Sequence, residues 1–158
     1  MIKEATVQDA TLLNDLNKEV QELHHKLYPR IFKPSLDEDK SAFFANFIKK
    51  DESKIFIKYS ESEDKPTAYV MYSEKAYPET IFTFQRESIY VHHIAVKNEF
   101  RCRGVGKELM DKVLEEAKKK KINCIELDYW SENLKASSFF EKHQFSVYNQ
   151  KCWIQLDS

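Results

Sequence analysis

The chain has 158 residues, and its 25 lysines and arginines against 26 aspartates and glutamates give a formal net charge of −1. This near neutrality excludes the basic excess typical of general nucleic-acid binding, and no apolar run approaches the roughly 18 residues that span a bilayer. We therefore expect a single globular domain over residues 1–158, with neither nucleic acid nor a membrane as its partner.

The first half of the chain predicts helices followed by strands. Residues Ile2 to Thr6 favour a short first strand. Apolar residues spaced three and four apart then predict an amphipathic helix from Asp9 to Leu27, and a second helix carries the aromatic stretch from Phe43 to Ile48. The β-branched and aromatic runs IFIKYS and TAYVMY predict an antiparallel pair of strands.

The region after these strands predicts a strand, a turn and a helix. The run SIYVHHIAV (Ser88–Val96) is a third strong strand, in which the adjacent His92 and His93 are expected to point to opposite faces. The helix that starts at Val105 ends in Lys118–Lys121, where cations suit the partial negative charge of a helix C-terminus. We therefore interpret the lysine run as a solvated helix end and not as a nucleic-acid patch.

The last part of the chain predicts a strand at CIELDYW and a helix from Asn133 to Lys142. Two closing strands are expected around Phe145–Val147 and Lys151–Leu156. A strand–helix–strand unit of this size places two strands parallel within a mixed sheet. The fold class is therefore α/β, or α+β with one βαβ unit.

The stretch RCRGVGK (Arg101–Lys107) holds both glycines of the chain. It lies between a predicted strand and a predicted helix, where unpaired N–H groups and the helix dipole favour an anion. Gly104 and Gly106 let the backbone approach a phosphate closely, and arginine pairs with two phosphate oxygens at once. A phosphate site is favoured over a plain turn with exposed cations. The spacing lacks glycines that a P-loop and a dinucleotide site require, so neither is expected.

The cysteines are few and irregularly spaced. Cys102, Cys124 and Cys152 are an odd number, with no close pair and no spacing typical of a metal site. This pattern predicts reduced thiols, a cytoplasmic protein and no bound metal.

Three stretches resemble one enzyme family. The pattern Arg-x-x-Gly-x-Gly, after a strand ending in Ile94–Val96, resembles the acetyl-CoA motif of the GCN5-related N-acetyltransferase (GNAT) superfamily. NLKASSFFEKHQF (Asn133–Phe145) is similar to the family's later helix, and IKEATVQDA is similar to its opening strand and turn. The resemblance implies the GNAT fold: a central mixed, mostly antiparallel seven-stranded sheet with one βαβ unit and flanking helices.

The resemblance also implies acetyl-CoA as co-substrate. The pantetheine arm would lie along the fourth strand, where that strand splays from the next, and the pyrophosphate would lie on the glycine-bearing turn. The residues implied in cofactor binding are Ile94, Ala95 and Val96 of the strand, Arg101, Cys102, Arg103, Gly104, Val105, Gly106 and Lys107 of the turn, and Asn133, Phe140 and Lys142 of the later helix.

The implied reaction is direct attack of a primary amine on the thioester. An alkyl amine with a pKa of about 10.4 is almost fully protonated at pH 7, so a base matters. Asp128 lies five residues before Asn133, where some protein-modifying members carry a glutamate, and Glu126 shares its strand face. These two carboxylates are the candidate catalytic residues, and a solvent-facing pair without a catalytic role is the alternative.

Phe140 departs from the family pattern. The family's usual residue at this place is a tyrosine that gives a proton to the leaving thiolate, and phenylalanine has none to give. Tyr90, Tyr129 and Tyr148 are the candidate replacements. The departure also keeps open a non-catalytic module that binds acetyl-CoA or CoA.

The acceptor is expected to be a small-molecule amine. A polyamine is the example, because Glu126 and Asp128 would attract a polycation, and a protein N-terminus or lysine side chain is the alternative. One of His92 and His93 could line the acceptor cavity, with a buried structural histidine as the favoured alternative. The resemblance leaves a homodimer open.

Overall fold

The computed structural model describes residues 1–35, 38–62 and 64–156. The chain forms two compact units, Met1–Asp128 and Tyr129–Ser158. Over the described residues, the first unit contains a five-stranded sheet and three α-helices, and the second contains one α-helix.

The strands of the first unit lie side by side in chain order. All neighbours pair antiparallel except the last two, which run parallel because a helix connects them. The predicted mixed, mostly antiparallel sheet with one βαβ unit is confirmed. The strands are β1 (Ile2–Glu4), β2 (Ser53–Tyr59), β3 (Pro66–Tyr77), β4 (Arg86–Val96) and β5 (Ile125–Leu127).

Helices cover both faces of this sheet. Helices α1 (Ala10–Leu27) and α2 (Ser41–Ile48) lie on one face, and α3 (Val105–Lys119) lies on the other. Side chains of β3 alternate between the two, so Tyr69 and Met71 join the core under α1 and α2. Because both faces are covered, Thr67–Tyr72 is buried throughout, which explains the uninterrupted apolar character of this run.

The predicted number of strands is wrong, since the sheet has five and not seven. Phe145–Val147 and Lys151–Leu156 form no strand. Alternating apolar residues become a strand only where a neighbouring strand pairs with them. No such pairing is present in the part of the chain that is described, and Val147 and Ile154 are 60% and 82% exposed.

The second unit is built around α4 (Leu134–Lys142). Asn133 begins the helix, and its Oδ1 accepts a hydrogen bond from Ala136 N at 3.2 Å, as expected of an N-cap asparagine. Phe140 is the buried residue of α4, and its ring contacts the rings of Tyr129, Phe139 and Phe145.

The cysteines are free thiols, with Cys102 and Cys152 exposed and Cys124 half-buried. In residues 1–35, 38–62 and 64–156, no three histidine, cysteine, aspartate or glutamate side chains come together in a way that could hold a metal ion. None of the helices in the same ranges combines the length and the apolar character that crossing a membrane requires.

Candidate active site

The turn before α3 leaves the N-terminus of this helix open. Gly104 precedes the helix with φ +81°, a left-handed conformation that favours glycine, and a Cβ there would meet no described atom within 4 Å. The first hydrogen bond of the helix runs from Glu108 N to Gly104 O at 3.0 Å. The N–H groups of Val105, Gly106 and Lys107 therefore precede the helical bonding pattern and suit an anion.

Arg101 connects this turn to the end of β4. Its Nε donates a hydrogen bond to Val96 O at 2.9 Å, and its Nη2 lies 4.0 Å from Glu19 Oε2 of α1. The guanidinium is thus already engaged by protein groups. Its position fixes the path of the chain between β4 and the turn.

The other two cations of the turn are more exposed. Arg103 lies with its guanidinium carbon 5.9 Å from the ring centroid of Phe100. Lys107 pairs with Asp111 one helical turn later, with 2.6 Å between Nζ and Oδ2. Arg103 is therefore the cation with the least engagement in the protein.

The edge of β4 that faces β5 becomes open next to this turn. Pairing between β4 and β5 ends at Val91 and Leu127, whereas pairing between β4 and β3 continues to Val96 and Ala68. Within the described residues, His92–Val96 thus has no strand partner on the β5 side. The two parallel strands separate where the resemblance implied, and residues 97–104 connect β4 to the N-terminus of α3.

A β-bulge in β4 lies at the same point. The β3–β4 register shifts after Met71, and His92 is the residue left without a partner in that register. The rings of His92 and His93 both contact α2, at 5.3 Å from Phe47 and 6.3 Å from Phe43. The prediction that the two histidines point to opposite faces is wrong, because the extra residue of the bulge turns both toward the same helix.

His93 belongs to a chain of hydrogen bonds beneath α1 and α2. Asn17 Nδ2 donates to Tyr69 Oη at 2.9 Å, and that oxygen lies 3.2 Å from His93 Nδ1. Burial, with a smaller effect of the other histidines, lowers the pKa of His93 to about 4. The ring is therefore neutral at pH 7, and it accepts from Tyr69 at Nδ1 and carries its own proton on Nε2.

Asp128 meets a phenol and an ammonium group on the same side of the sheet. It follows β5, is exposed, and accepts a hydrogen bond from Tyr90 Oη of β4. Lys75 Nζ of β3 lies 4.8 Å from the ring centroid of Tyr90. Burial and the neighbouring Asp128 carboxylate raise the pKa of Tyr90, so its hydroxyl keeps its proton.

His92 borders this group. Its Nε2 lies 2.7 Å from Ser73 Oγ, and its ring centroid lies 4.9 Å from that of Tyr90. Burial lowers the pKa of His92, and the ammonium of Lys75 lowers it further, while the Asp128 carboxylate acts in the opposite direction. These side chains of β3, β4 and the end of β5 thus form one polar cluster, which consists of Ser73, Lys75, Tyr90, His92 and Asp128.

Glu126 lies on the same face as Asp128 but in different surroundings. It is 5% exposed and accepts hydrogen bonds from Tyr77 Oη at 2.7 Å, Arg86 Nη1 at 2.8 Å and Ser88 Oγ at 2.5 Å. These donors bind both carboxylate oxygens, and Arg86 balances the charge. Glu126 therefore braces β3, β4 and β5 together.

The remaining predicted residues lie in the second unit. The Oδ1 of Asn133 caps α4, and Lys142 is exposed in its last turn. Phe140 is 5% exposed, and the ring of Tyr129 stacks on it with 5.8 Å between centroids. A phenol thus lies beside the phenylalanine that stands at the family's tyrosine position.

Sequence reasoning missed Lys75 and Ser73, and it did not connect Tyr90 with Asp128. Tyr90 and Asp128 are 38 residues apart, and nothing local couples them. The one usable signal was the alternation of Ser73, Lys75 and Tyr77 along β3, which places their side chains on one face.

Comparison with known proteins agrees with this geometry. The model of the acetyltransferase (GNAT) family matches residues 17–145. An uncharacterized N-acetyltransferase of Methanocaldococcus jannaschii is 31% identical to the chain over 159 residues, covering 99% of the chain and 67% of that protein. The family match alone spans most of the chain.

Solved structures show the same fold. A Bacillus halodurans protein, crystallised as a tetramutant, has a TM-score of 0.91 at 25% identity, with 99% of both chains covered. A Clostridium acetobutylicum protein crystallised with acetyl-CoA has a TM-score of 0.70 at 19% identity, covering 99% of this chain and 95% of that one. The resemblance first seen in the motifs is confirmed: the chain belongs to the GNAT family and is an N-acetyltransferase.

Proposed function

We propose that this N-acetyltransferase transfers the acetyl group of acetyl-CoA to a primary amine of a small molecule. The observation that carries the proposal is the open edge of β4, which the short turn of residues 97–104 connects to the N-terminus of α3. An extended, amide-bearing arm can add to such an edge as a strand would, and a pyrophosphate suits the free N–H groups of a helix N-terminus. These are the parts that acetyl-CoA requires, and what it supplies when bound is an activated acetyl thioester.

The proposed cofactor contacts come partly from backbone groups and partly from side chains. Backbone groups of Ile94–Val96 bind the pantetheine arm, and backbone groups of Cys102–Lys107 bind the pyrophosphate. Arg103 adds a guanidinium that forms no ion pair among the described residues, whereas Arg101 holds the end of β4 in place through Val96. In the second unit, we assign contacts to Asn133, Phe140 and Lys142 by their match to the family's helix.

Asp128 is the base in this proposal. An alkyl ammonium that must lose its proton at pH 7 faces a deficit of about 4–5 kcal/mol, so a carboxylate beside the amine lowers the barrier. Asp128 is exposed, and Tyr90 orients it by donating to Oδ2. Glu126, with three donors already bound, serves as a brace and not as a second base.

Tyr129 is the proton donor in this proposal, since Phe140 has no proton to give. The stacked contact between the two rings, at 5.8 Å between centroids, supports this assignment. A phenol beside the leaving sulfur can protonate it as the amine attacks. We expect Tyr129→Phe to lower kcat without weakening acetyl-CoA binding, which distinguishes a proton donor from a contact residue.

The test is release of CoA from acetyl-CoA across a panel of amines, with Arg103→Ala and Lys118→Ala compared. We expect turnover with one class of amine and about a tenfold weaker affinity for acetyl-CoA in Arg103→Ala. Lys118→Ala removes a cation at the other end of α3 and is expected to change neither. Binding of acetyl-CoA without turnover of any amine would contradict catalysis and favour the binding module.

A further inference from the structure

We propose that the acceptor is an amine that also carries a carboxylate, of the amino-acid class, and that Lys75 binds this carboxylate while Asp128 binds the amine. This inference rests on the proposed function and names the substrate class of the same site. It replaces the polyamine that the two carboxylates alone suggested. The argument follows from how the charges of the polar cluster are distributed.

Only one of the two carboxylates is available to a substrate. Glu126 is buried, and Arg86 Nη1 binds it at 2.8 Å, so this pair contributes no net charge. Asp128 is exposed, and the neutral hydroxyl of Tyr90 donates a hydrogen bond to it. The face therefore offers one negative charge to an incoming amine, and not the two that would favour a polycation.

A cation lies beside this carboxylate. Lys75 is exposed, and its Nζ lies over Tyr90, 4.8 Å from the centroid of the ring whose hydroxyl binds Asp128. It also lies 5.1 Å from the ring centroid of Tyr77. Among the described residues, no carboxylate lies within ion-pair distance of Lys75. Two aromatic rings thus hold an ammonium group that has no carboxylate partner in the described part of the chain.

The surroundings of His92 agree with this distribution. Burial is the main cause that lowers its pKa; beyond it, the ammonium groups of Lys75 and Lys50 lower the pKa and Asp128 raises it, so two cations and one anion lie near the same imidazole. A diamine or polyamine placed here would bring further positive charge next to Lys75 and Lys50. A molecule with an amine and a carboxylate places its ammonium group against Asp128 and its carboxylate against Lys75, so that each charge meets an opposite one.

The chemistry fits the reaction at Asp128. The substrate enters with its amine protonated, and the carboxylate of Asp128 takes one proton before or as nitrogen attacks the acetyl carbon. The N–C bond of an amide forms as the C–S bond of the thioester breaks, and CoA leaves as a thiolate that Tyr129 protonates. The second proton that nitrogen loses restores Tyr129, and Asp128 releases its proton to solvent. The product keeps its carboxylate, so Lys75 holds the molecule through binding and reaction.

The test compares amino acids with the amines that lack the carboxylate, such as lysine with cadaverine and ornithine with putrescine. We expect kcat/KM to be about tenfold higher for the member with the carboxylate. Lys75→Gln is expected to remove this preference while leaving acetyl-CoA affinity unchanged, and Lys75→Glu to reverse it. The matched control is Lys3→Gln, which removes an ammonium 4.9 Å from the ring centroid of Tyr59 on β2, outside the cluster.

The outcomes separate the two proposals. Turnover that favours cadaverine and putrescine, or an amino-acid preference that survives in Lys75→Gln, overturns this inference and leaves the acetyltransfer from acetyl-CoA standing. No turnover with either member of any pair, or with the wider amine panel, overturns both. A preference lost equally in Lys3→Gln would show a general effect of surface charge and also overturns the assignment of Lys75.

Discussion

The two faces of the sheet differ in how their polar groups are used. On the face that α1 and α2 cover, polar side chains form hydrogen bonds with one another. Examples are the chain from Asn17 through Tyr69 to His93, and the pair of Tyr90 and Asp128. Under α3 the apolar contacts are joined by ion pairs between the sheet and the helix, from Lys54 to Glu116 at 3.6 Å and from Lys58 to Glu108 at 2.5 Å. There the buried hydroxyl of Tyr72 has no hydrogen-bond partner among the described residues.

This difference indicates a division of labour. The α3 face buries Leu109, Met110 and Val113 against the sheet, which holds the N-terminus of α3 beside the open edge of β4. The opposite face carries the pair of Tyr90 and Asp128, to which we assign the acceptor site. In the proposed function, the α3 face positions acetyl-CoA through backbone conformation, and the opposite face binds the acceptor through side chains.

The largest expected effect is on the reactive face. Asp128→Asn keeps the size of the side chain and removes its basicity, so we expect kcat to fall about a thousandfold, or about 4 kcal/mol in activation free energy. Affinity for acetyl-CoA is expected to stay unchanged. The control is Asp15→Asn, an exposed aspartate of α1 paired with Lys18. Full activity in Asp128→Asn would remove this residue as the base.

The next effect is the pH dependence of stability that His93 confers. Its folded pKa of about 4 lies below the ordinary value of 6.5, so the unfolded chain binds more protons between these values. The contribution is fully present above pH 6.5 and is lost as the pH falls toward 4, by about 3 kcal/mol. Urea unfolding of the wild type and of His93→Phe at several pH values measures it. Parallel curves for the two proteins would contradict the assignment.

Two tyrosines on opposite faces of β3 give a matched comparison. Both are fully buried, at 0% exposure. Tyr69→Phe leaves Asn17 and His93 without their shared partner and is expected to lower the free energy of unfolding by about 2 kcal/mol. Tyr72→Phe removes a hydroxyl without a partner among the described residues, so stability is expected to stay equal or to rise. Urea unfolding at pH 7 measures both, and equal losses would show that the faces do not differ in this respect.

The smallest effect concerns the two glycines. Gly104→Ala puts a Cβ on a residue with φ +81°, and we expect a loss of about 1 kcal/mol together with weaker acetyl-CoA binding. Gly106→Ala, two residues later inside α3, is expected to stabilise by up to about 1 kcal/mol because alanine favours a helix. Thermal unfolding and acetyl-CoA titration check both. The same sign for both changes would contradict the role given to the left-handed turn.

The features that could be predicted from the sequence are those that depend on residues close together along the chain. The spacing of apolar residues indicated α1 and α3, and the uninterrupted run of β3 reflects burial on both faces. The glycine-bearing turn could also be predicted, because glycine at position 104 is favoured by the left-handed conformation of that residue and does not depend on distant contacts. The turn to which we assign cofactor binding could therefore largely be predicted from the sequence.

What could not be predicted depends on contacts between distant segments. The bulge at His92 is set by how β4 pairs with β3, so the directions of the two histidines could not be derived from alternation alone. Lys75, Tyr90 and Asp128 come from three elements and meet only through the register of the sheet. The prediction of two closing strands was wrong for the same reason, since an alternation of apolar residues does not specify which strand pairs with them.

The open edge of β4 also has a consequence for solvent exchange. Alternate amide hydrogens of His92–Val96 point toward β5, which no longer pairs there, whereas the others are held by β3 up to Val96. In the free protein, His93–Val96, which follow the bulge at His92, should therefore show an alternation of fast and slow deuterium uptake. An extended ligand on the edge would slow the fast amides alone, and the pattern would report occupancy of the site residue by residue without any turnover.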